Sequence, residues 1–469
     1  MTTTAAPRRP PWVEPADRPR AATDPLAAPP WGFAEFFVIS QTAIPALLYL
    51  PGTQALRLPI RVSSFAISLM ALAWSWLRET DEPVRRHPAV PWLIAVVATM
   101  ALMVFHPKTN TIQAGVAQLV LYVCVMAPIV WAPRLVRSPG HLRRLLALLL
   151  ICNGVNAIVG VLQVYDPARW LPQEFSRIVT ESDTGLGPVT YTGANGELIV
   201  RPPGLFDTPG AVAGAGMFAA LLGVIFAASP IAPWQRAGSL ALAFAGIAAI
   251  YLSQVRVSLV VLAGMMLAHA LLLARQRRMA ALSGFATLSG LLLVGAFSYA
   301  VFLGGESIVE RVFTLFEDDP IAIYYASRGG QLVYALNEFF FDFPFGAGLG
   351  RWGMTAGYFG DPANIDSPPI WAEIQVAGWL IDGGFILLLL YCGALLATSV
   401  YEWRLTTRAA DPLIRISAAV VLSANAGTFA LILSFTPFTT QIGLQFWFLA
   451  GALQGAAWHT DALEGQTAT

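Results

Sequence analysis

An all-α, polytopic integral membrane protein with about twelve transmembrane helices and two long extracytoplasmic loops is the fold this sequence predicts, on three observations. The 469 residues are 56% hydrophobic and only 12% charged, with a mean hydropathy of +0.62, which is too apolar for a soluble chain of this length. Apolar stretches long enough to span a bilayer, ~17–25 residues each, recur along nearly the whole chain. Arginines gather in every second connection between them.

The elements follow in order. Met1 to Pro30 is rich in proline, alanine and arginine and has no continuous apolar segment ahead of a cleavage site, so a disordered cytoplasmic tail is expected there, not a signal peptide. Apolar runs then occupy Phe33–Leu50, Pro59–Leu77, Val90–Phe105, Ile112–Trp131, Leu145–Val164 and Pro209–Ala228. They continue at Gly238–Ser253, Val257–Ala274, Ala281–Leu303, Trp371–Val400, Leu413–Ser434 and Pro437–Trp458. With the N-terminus inside, alternate connections carry Arg78, Arg85 and Arg86, then Arg134, Arg137, Arg143 and Arg144, then Arg236, then Arg275, Arg277 and Arg278, then Arg404, Arg408 and Arg415. The positive-inside rule therefore puts both termini in the cytoplasm. The membrane domain covers 31–458, a second cytoplasmic tail 459–469, and the long outer loops fall at 165–208 and 304–370. Compact multi-span proteins keep connections short unless they carry function, so these loops are where a site is expected.

Several chemistries are excluded first. Lys and Arg balance Asp and Glu at 28 each, which gives no sign of a nucleic-acid partner. Cys124, Cys152 and Cys392 lie inside apolar runs and read as small hydrophobes, so neither zinc nor redox chemistry is expected. No metal site and no cofactor is expected. Gly346, Gly348, Gly350 and Gly353 imitate a nucleotide-binding pattern without the flanking βαβ unit, and read instead as a tight turn into Arg351 and Trp352.

Three outward arginines stand out. Arg201 lies just before Pro202-Pro203-Gly204, where Thr208 and Pro209 read as the N-cap and first residue of a helix whose opening turns are Gly210, Ala211, Ala213, Gly214, Ala215 and Gly216. Its backbone N–H groups stand open to an anion, with Arg201 adding a bidentate grip. Arg256 sits in the tight turn Ser253 to Ser258. An arginine near the membrane surface meets an anion or a water-filled cavity. Arg328 follows Ser327, which reads as the cap of a surface helix running to Phe341. Each arginine taken alone is equally accounted for by snorkelling to headgroups; together, each beside a helix end or a tight turn, they form a pattern.

Bases are scarcer. The second loop has no histidine. Most of its carboxylates, Asp366 among them, read as solvated, whereas Glu373 opens the run to Val400, which is longer than the bilayer core, so its first turns stand at the outer interface. Partial desolvation there raises a carboxyl pKa toward a useful range. The plainer alternative is a carboxylate complementing the helix dipole.

These residues carry a resemblance. Arg201-x-x-Gly204-x-Phe206-x-x-Pro209, the turn at Arg256, and Ser327-Arg328 leading into Phe343-Pro344-Phe345-Gly346-Ala347-Gly348-Leu349-Gly350 resemble the motifs of the O-antigen ligase and polysaccharide polymerase superfamily. Trp371 to Ile386, with Asp382-Gly383-Gly384, looks like the span following the large loop in that family. The resemblance implies a metal-independent, C-type glycosyltransferase of the bacterial inner membrane. Its donor is an undecaprenyl-pyrophosphate-linked glycan, its acceptor the hydroxyl of a glycan or glycolipid, its surroundings membrane lipids, and a chain-length regulator is a further expected partner. The family's pyrophosphate-binding arginines map onto Arg201, Arg256 and Arg328. Family ligases carry a histidine nine residues before the acidic-x-glycine element, and counting back from Asp382 gives Glu373. The base is then Glu373 or, nearest to it, Asp366, and the substitution favours a polymerase of lipid-linked repeats over a ligase. A transporter or flippase of lipid-linked oligosaccharides is the competing class, and a non-enzymatic assembly partner a third.

Overall fold

In the computed structural model, residues 29–50, 52–77, 86–172, 190–192, 198–206, 208, 210–317 and 319–467 are described. Most of the 1–30 tail, Arg78, Arg85, Pro209 and much of the 165–208 loop lie outside them. Among the described residues the regular structure is helical apart from one ladder of two three-residue strands, β1 (Thr190–Thr192) and β2 (Leu198–Val200), antiparallel with Tyr191 opposite Ile199. That ladder is a local feature of the 165–208 loop within an all-α fold. Its threonines, tyrosine and β-branched aliphatics favour a pleated pair.

The helices are α1 (Phe33–Ala46), α2 (Arg57–Leu77), α3 (Val90–Met103), α4 (Ile112–Met126), α5 (Pro128–Leu135) and α6 (Pro139–Tyr165). After the ladder come α7 (Val212–Ala227), α8 (Pro233–Ser253), α9 (Arg256–Arg275), α10 (Met279–Gly304) and α11 (Glu306–Glu317). A continuous helical run over 320–342 is α12, followed by α13 (Gly353–Phe359), α14 (Gln375–Arg408), α15 (Pro412–Ala430) and α16 (Gln441–Thr467). Eight helices among the described residues are long and apolar enough to cross a membrane, and Phe33–Tyr49, Val90–Met103 and Val212–Ala227 are shorter apolar ones. The run expected at Pro437–Trp458 becomes α16, whose Phe446, Trp447, Leu449, Ala450, Ala452 and Leu453 are all buried. A helix enclosed by protein need not be as apolar as one facing lipid.

Small residues set the packing. A Cβ on Gly216 of α7 would lie 2.6 Å from the Gly246 carbonyl of α8, and one on Gly223 equally close to that of Ser239. The two backbones therefore touch, as small-residue interfaces in membranes permit.

One helix is broken partway along. Within α14, Gly383 and Gly384 leave helical geometry, with Gly384 at φ +61°. Phe385 N–H donates to the Pro344 carbonyl at 3.0 Å and Ala347 N–H to the Ile381 carbonyl at 2.7 Å, so the turn after α12 plugs into the break. A Cβ on Gly384 would meet the Pro344 oxygen at 2.1 Å. The expected tight turn is present: Gly346, Gly348, Gly350 and Gly353 all have positive φ. Side chains at Gly348 and Gly350 would collide with the backbones of Thr109 and Ala114.

Candidate functional site

Arg201 is placed by α6. Gln163 and Asn156, both buried, hold the residues that follow: Gln163 Oε1 accepts from Gly204 N–H at 2.9 Å, its Nε2 donates to the Gly204 carbonyl at 2.8 Å, and Asn156 Oδ1 accepts from Leu205 N–H at 2.7 Å. Gly204, at φ +66°, fits because a Cβ there would lie 2.0 Å from Asn156 Oδ1. The Tyr49 hydroxyl donates to the same carbonyl. The arginine-x-x-glycine spacing thus puts a guanidinium at the end of a loop clamped at its glycine.

The helix beyond starts later than expected. Thr208 is not its cap; α7 begins at Val212 after Ala211, because Gly210 takes φ +72° and turns the chain first. Gly210, Ala211, Ala213, Gly214 and Ala215 nonetheless face a common hollow.

Arg256 is the first residue of α9, after a turn in which Gln254 adopts a left-handed φ of 56°. A non-glycine residue there stores roughly 1–3 kcal/mol, a cost that clusters at functional sites. Arg328 sits within a π turn, Tyr325–Gly329, inside α12. Ser327 is therefore internal and not a cap. The helix begins at Pro320, where the Asp319 carboxylate accepts from Ile321 N–H at 2.9 Å. π turns inside helices are frequent at functional sites.

These three arginines line one cavity of about 920 Å³. Its walls are otherwise mostly apolar, with Phe37, Leu149, Phe218 and Phe448 among them, and no aspartate or glutamate faces it among the described residues. Burial, and next the neighbouring charge of Arg201, push the Arg328 guanidinium below its ordinary pKa range. The two guanidiniums repel, and an anion bound between them relieves the repulsion. A fourth cation on the wall, Arg61 of α2, was not singled out from sequence. Its only signal is a charge in the first turns of an otherwise apolar run.

The two proposed bases fare differently. Glu373 forms an ion pair with Arg328, and its N–H donates to Gln331 Oε1 at 2.9 Å. It precedes α14, which starts at Gln375, so it belongs to an extended segment docked on α12 and not to a helical first turn. Glu373 is not on the cavity wall, although its neighbour Ala372 is. Asp366 is exposed and away from the cavity, with its carbonyl accepting from Lys108 Nζ at 3.2 Å, so the structure does not bring it to the arginines.

A buried framework supports this end of the bundle. Arg351, 4% exposed, donates from Nε and Nη2 to the Pro368 carbonyl at 3.1 and 2.8 Å and from Nη1 to that of Ala347 at 3.2 Å. Asp382, fully buried beside the break in α14, accepts from Gln118 Nε2 at 3.2 Å and the Tyr122 hydroxyl at 3.3 Å. Gln118 reaches the cavity wall and accepts from the Thr355 hydroxyl. Among the described residues no cluster of three or more His, Cys, Asp or Glu is placed to hold a metal ion.

Chemically, the hollow can hold a phosphorylated head group on its arginines and an apolar chain along its walls, with one carboxylate at the edge of the cationic cluster. Compared with family models and with curated proteins, the chain matches none.

Proposed function

We propose that this protein transfers a glycan from an undecaprenyl-pyrophosphate carrier to an acceptor hydroxyl at the outer face of a bacterial inner membrane, as a polymerase of lipid-linked repeats in preference to a ligase. The twelve-span topology with both termini cytoplasmic belongs to the same reading. The observation that carries it is that Arg201, Arg256 and Arg328, picked out by sequence from three distant segments, share one cavity with mostly apolar walls and, among the described residues, no carboxylate on them.

In the reaction, the acceptor oxygen bonds to the anomeric carbon of the donor sugar while the bond from that carbon to the diphosphate oxygen breaks. The arginines hold the diphosphate and take up the charge that develops on it, in a site of low dielectric where such charges count most. The acceptor's proton passes to the Glu373 carboxylate. In the free protein that carboxylate pairs with Arg328. A diphosphate arriving at Arg328 competes with Glu373 for the guanidinium and turns the carboxylate toward the acceptor, so the donor assembles its own base.

A second reading, a transporter or flippase of lipid-linked oligosaccharides, draws on Asp382 and Glu402. Both are fully buried inside Gln375–Arg408, and ionisable residues within spans often mark a path for cargo or protons. Purified protein in liposomes with undecaprenyl-linked repeats separates the two. A ladder of products identifies a polymerase, and a single transfer to added lipid acceptor a ligase. Movement of the lipid without any new glycosidic bond supports the transporter and overturns the enzymatic reading. Arg201→Ala and Glu373→Gln are each expected to lower turnover by roughly 100-fold or more at equal expression, the scale of losing a transition-state charge contact or a general base.

A further inference from the structure

Glu402, in the second half of α14, is fully buried, and so is Asn425 of α15 beside it. Asn425 Nδ2 donates to Glu402 Oε1 at 2.6 Å. Glu402 takes part in no ion pair among the described residues. Charged and titratable side chains on neighbouring helices engage elsewhere. His269 of α9 meets the Ser423 hydroxyl at 3.4 Å, the Arg275 guanidinium carbon stands 4.2 Å from the Trp403 ring centre, and α3, which packs on α14, has no titratable residue. A carboxylate enclosed by helices without a countercharge is strongly disfavoured. Glu402 Oε2 and Asn425 Oδ1, the second oxygens of the two bonded groups, are both buried without a hydrogen-bond partner. With the carboxyl ionised both are acceptors, and neither can satisfy the other.

We propose that Glu402 is a proton-binding site, with the proton on Oε2 donated to Asn425 Oδ1, so that the two side chains close a ring of two hydrogen bonds across the α14–α15 interface. One proton supplies everything the pair lacks: it removes the buried charge and gives both orphaned oxygens a partner. A metal cation is the rival occupant, and the donors fit it less well. Thr428, three residues on and so on the same face of α15, has a buried hydroxyl that bonds nothing, whereas Thr398 and Ser423 return theirs to the carbonyls of Ala394 and Ala419 at 2.9 and 2.7 Å. With Glu402 Oε2 and Asn425 Oδ1 that makes three free oxygens, short of the about six or more that hard cations such as calcium and magnesium gather. Loss of the proton breaks one of the two bonds and sets two acceptor oxygens against each other. Proton release is thereby coupled to loosening of α15 from α14. The inference is independent of the glycan-transfer reading, since neither Glu402 nor Asn425 lines the arginine cavity.

The test is the infrared spectrum of the purified full-length protein in detergent at neutral pH, read as the difference between wild type and Glu402→Gln. Glutamine has the same shape and makes the same two bonds to Asn425, so the variant keeps the interface. The C=O stretch of a protonated carboxyl group is expected in the wild type, moving to lower frequency in heavy water and vanishing in Glu402→Gln. In Asn425→Leu, which removes the Nδ2 donor, the band is expected to remain and to move to higher frequency. A merely structural role for Asn425 would produce no such shift. A difference spectrum that loses a carboxylate stretch in place of the protonated band shows an ionised Glu402 and overturns the proposal. Wild-type protein carrying isotope-labelled glutamate needs no substitution: a protonated band that shifts with the label is expected, and its absence refutes the site even where both variants fail to fold. The rival occupant is tested by melting wild type and Glu402→Gln in sodium, potassium, magnesium and choline chlorides at equal ionic strength. Each protein is expected to melt at one temperature in all four salts. A rise with one metal ion that Glu402→Gln abolishes assigns the site to that cation and refutes the proton.

Discussion

Replacing Gly204 by alanine tests whether Arg201 is held in place by its loop. Gly204 has φ +66°, and an added Cβ would lie 2.0 Å from Asn156 Oδ1 and 3.0 Å from Val212 Cγ2. The left-handed conformation costs an alanine roughly 1–2 kcal/mol. The collision forces Asn156 away from Leu205 N–H, its partner at 2.7 Å, and leaving that donor without an acceptor costs roughly another 1–3 kcal/mol. The sum, about 2–5 kcal/mol, shifts the ratio of docked to released loop by a factor of about 30 to several thousand. Affinity for undecaprenyl diphosphate and turnover are the readouts, with thermal unfolding in detergent as the check on global folding. Gly264→Ala is the control, since its added Cβ meets nothing within 4 Å. If Gly204→Ala binds, turns over and melts like the wild type while Gly264→Ala does the same, the clamp does not position Arg201.

Two further outcomes concern the framework. Burial pushes the His87 pKa down to about 3 from the ordinary 6.5. The folded protein therefore stays neutral there while the unfolded chain gains a proton below about pH 6.5, and stability is lost as pH falls from that point toward 3, by about 1.4 kcal/mol per unit or ~2 kcal/mol by pH 5. His87→Phe, which keeps a ring against Tyr401, is expected to flatten the melting temperature between pH 7.5 and 5; an acid slope equal to the wild type's refutes the assignment. Arg351→Met strips three bonds from the Ala347 and Pro368 carbonyls, a loss of roughly 4.5–9 kcal/mol at ~1.5–3 per charged bond. Limited proteolysis is expected to cut the 343–370 segment sooner, and wild-type resistance in the variant rules out the pin.

Much of the fold follows from local properties and could be read without coordinates. Hydropathy over windows of one helix length marked most of the helices, because the lipid solvent acts on each stretch separately. The glycine turn at 346–353 was legible because positive φ is a single-residue preference. Helix starts were less so. Thr208 and Ser327 have cap chemistry, yet Gly210 turns the chain first and α12 already runs from Pro320 under an Asp319 cap, so neither caps a helix.

The sequence by itself determined the class of the molecule and nominated three arginines, since charge in an apolar context needs an explanation wherever it falls. Only the tertiary structure decided that Arg201, Arg256 and Arg328 face one hollow, that Arg61 joins them, that Glu373 pairs with Arg328, and that Asp366 stands aside. Those facts depend on how segments tens to hundreds of residues apart are docked, as by the clamp on Gly204. No periodicity within one segment carries that information, because convergence is a property of packing between elements.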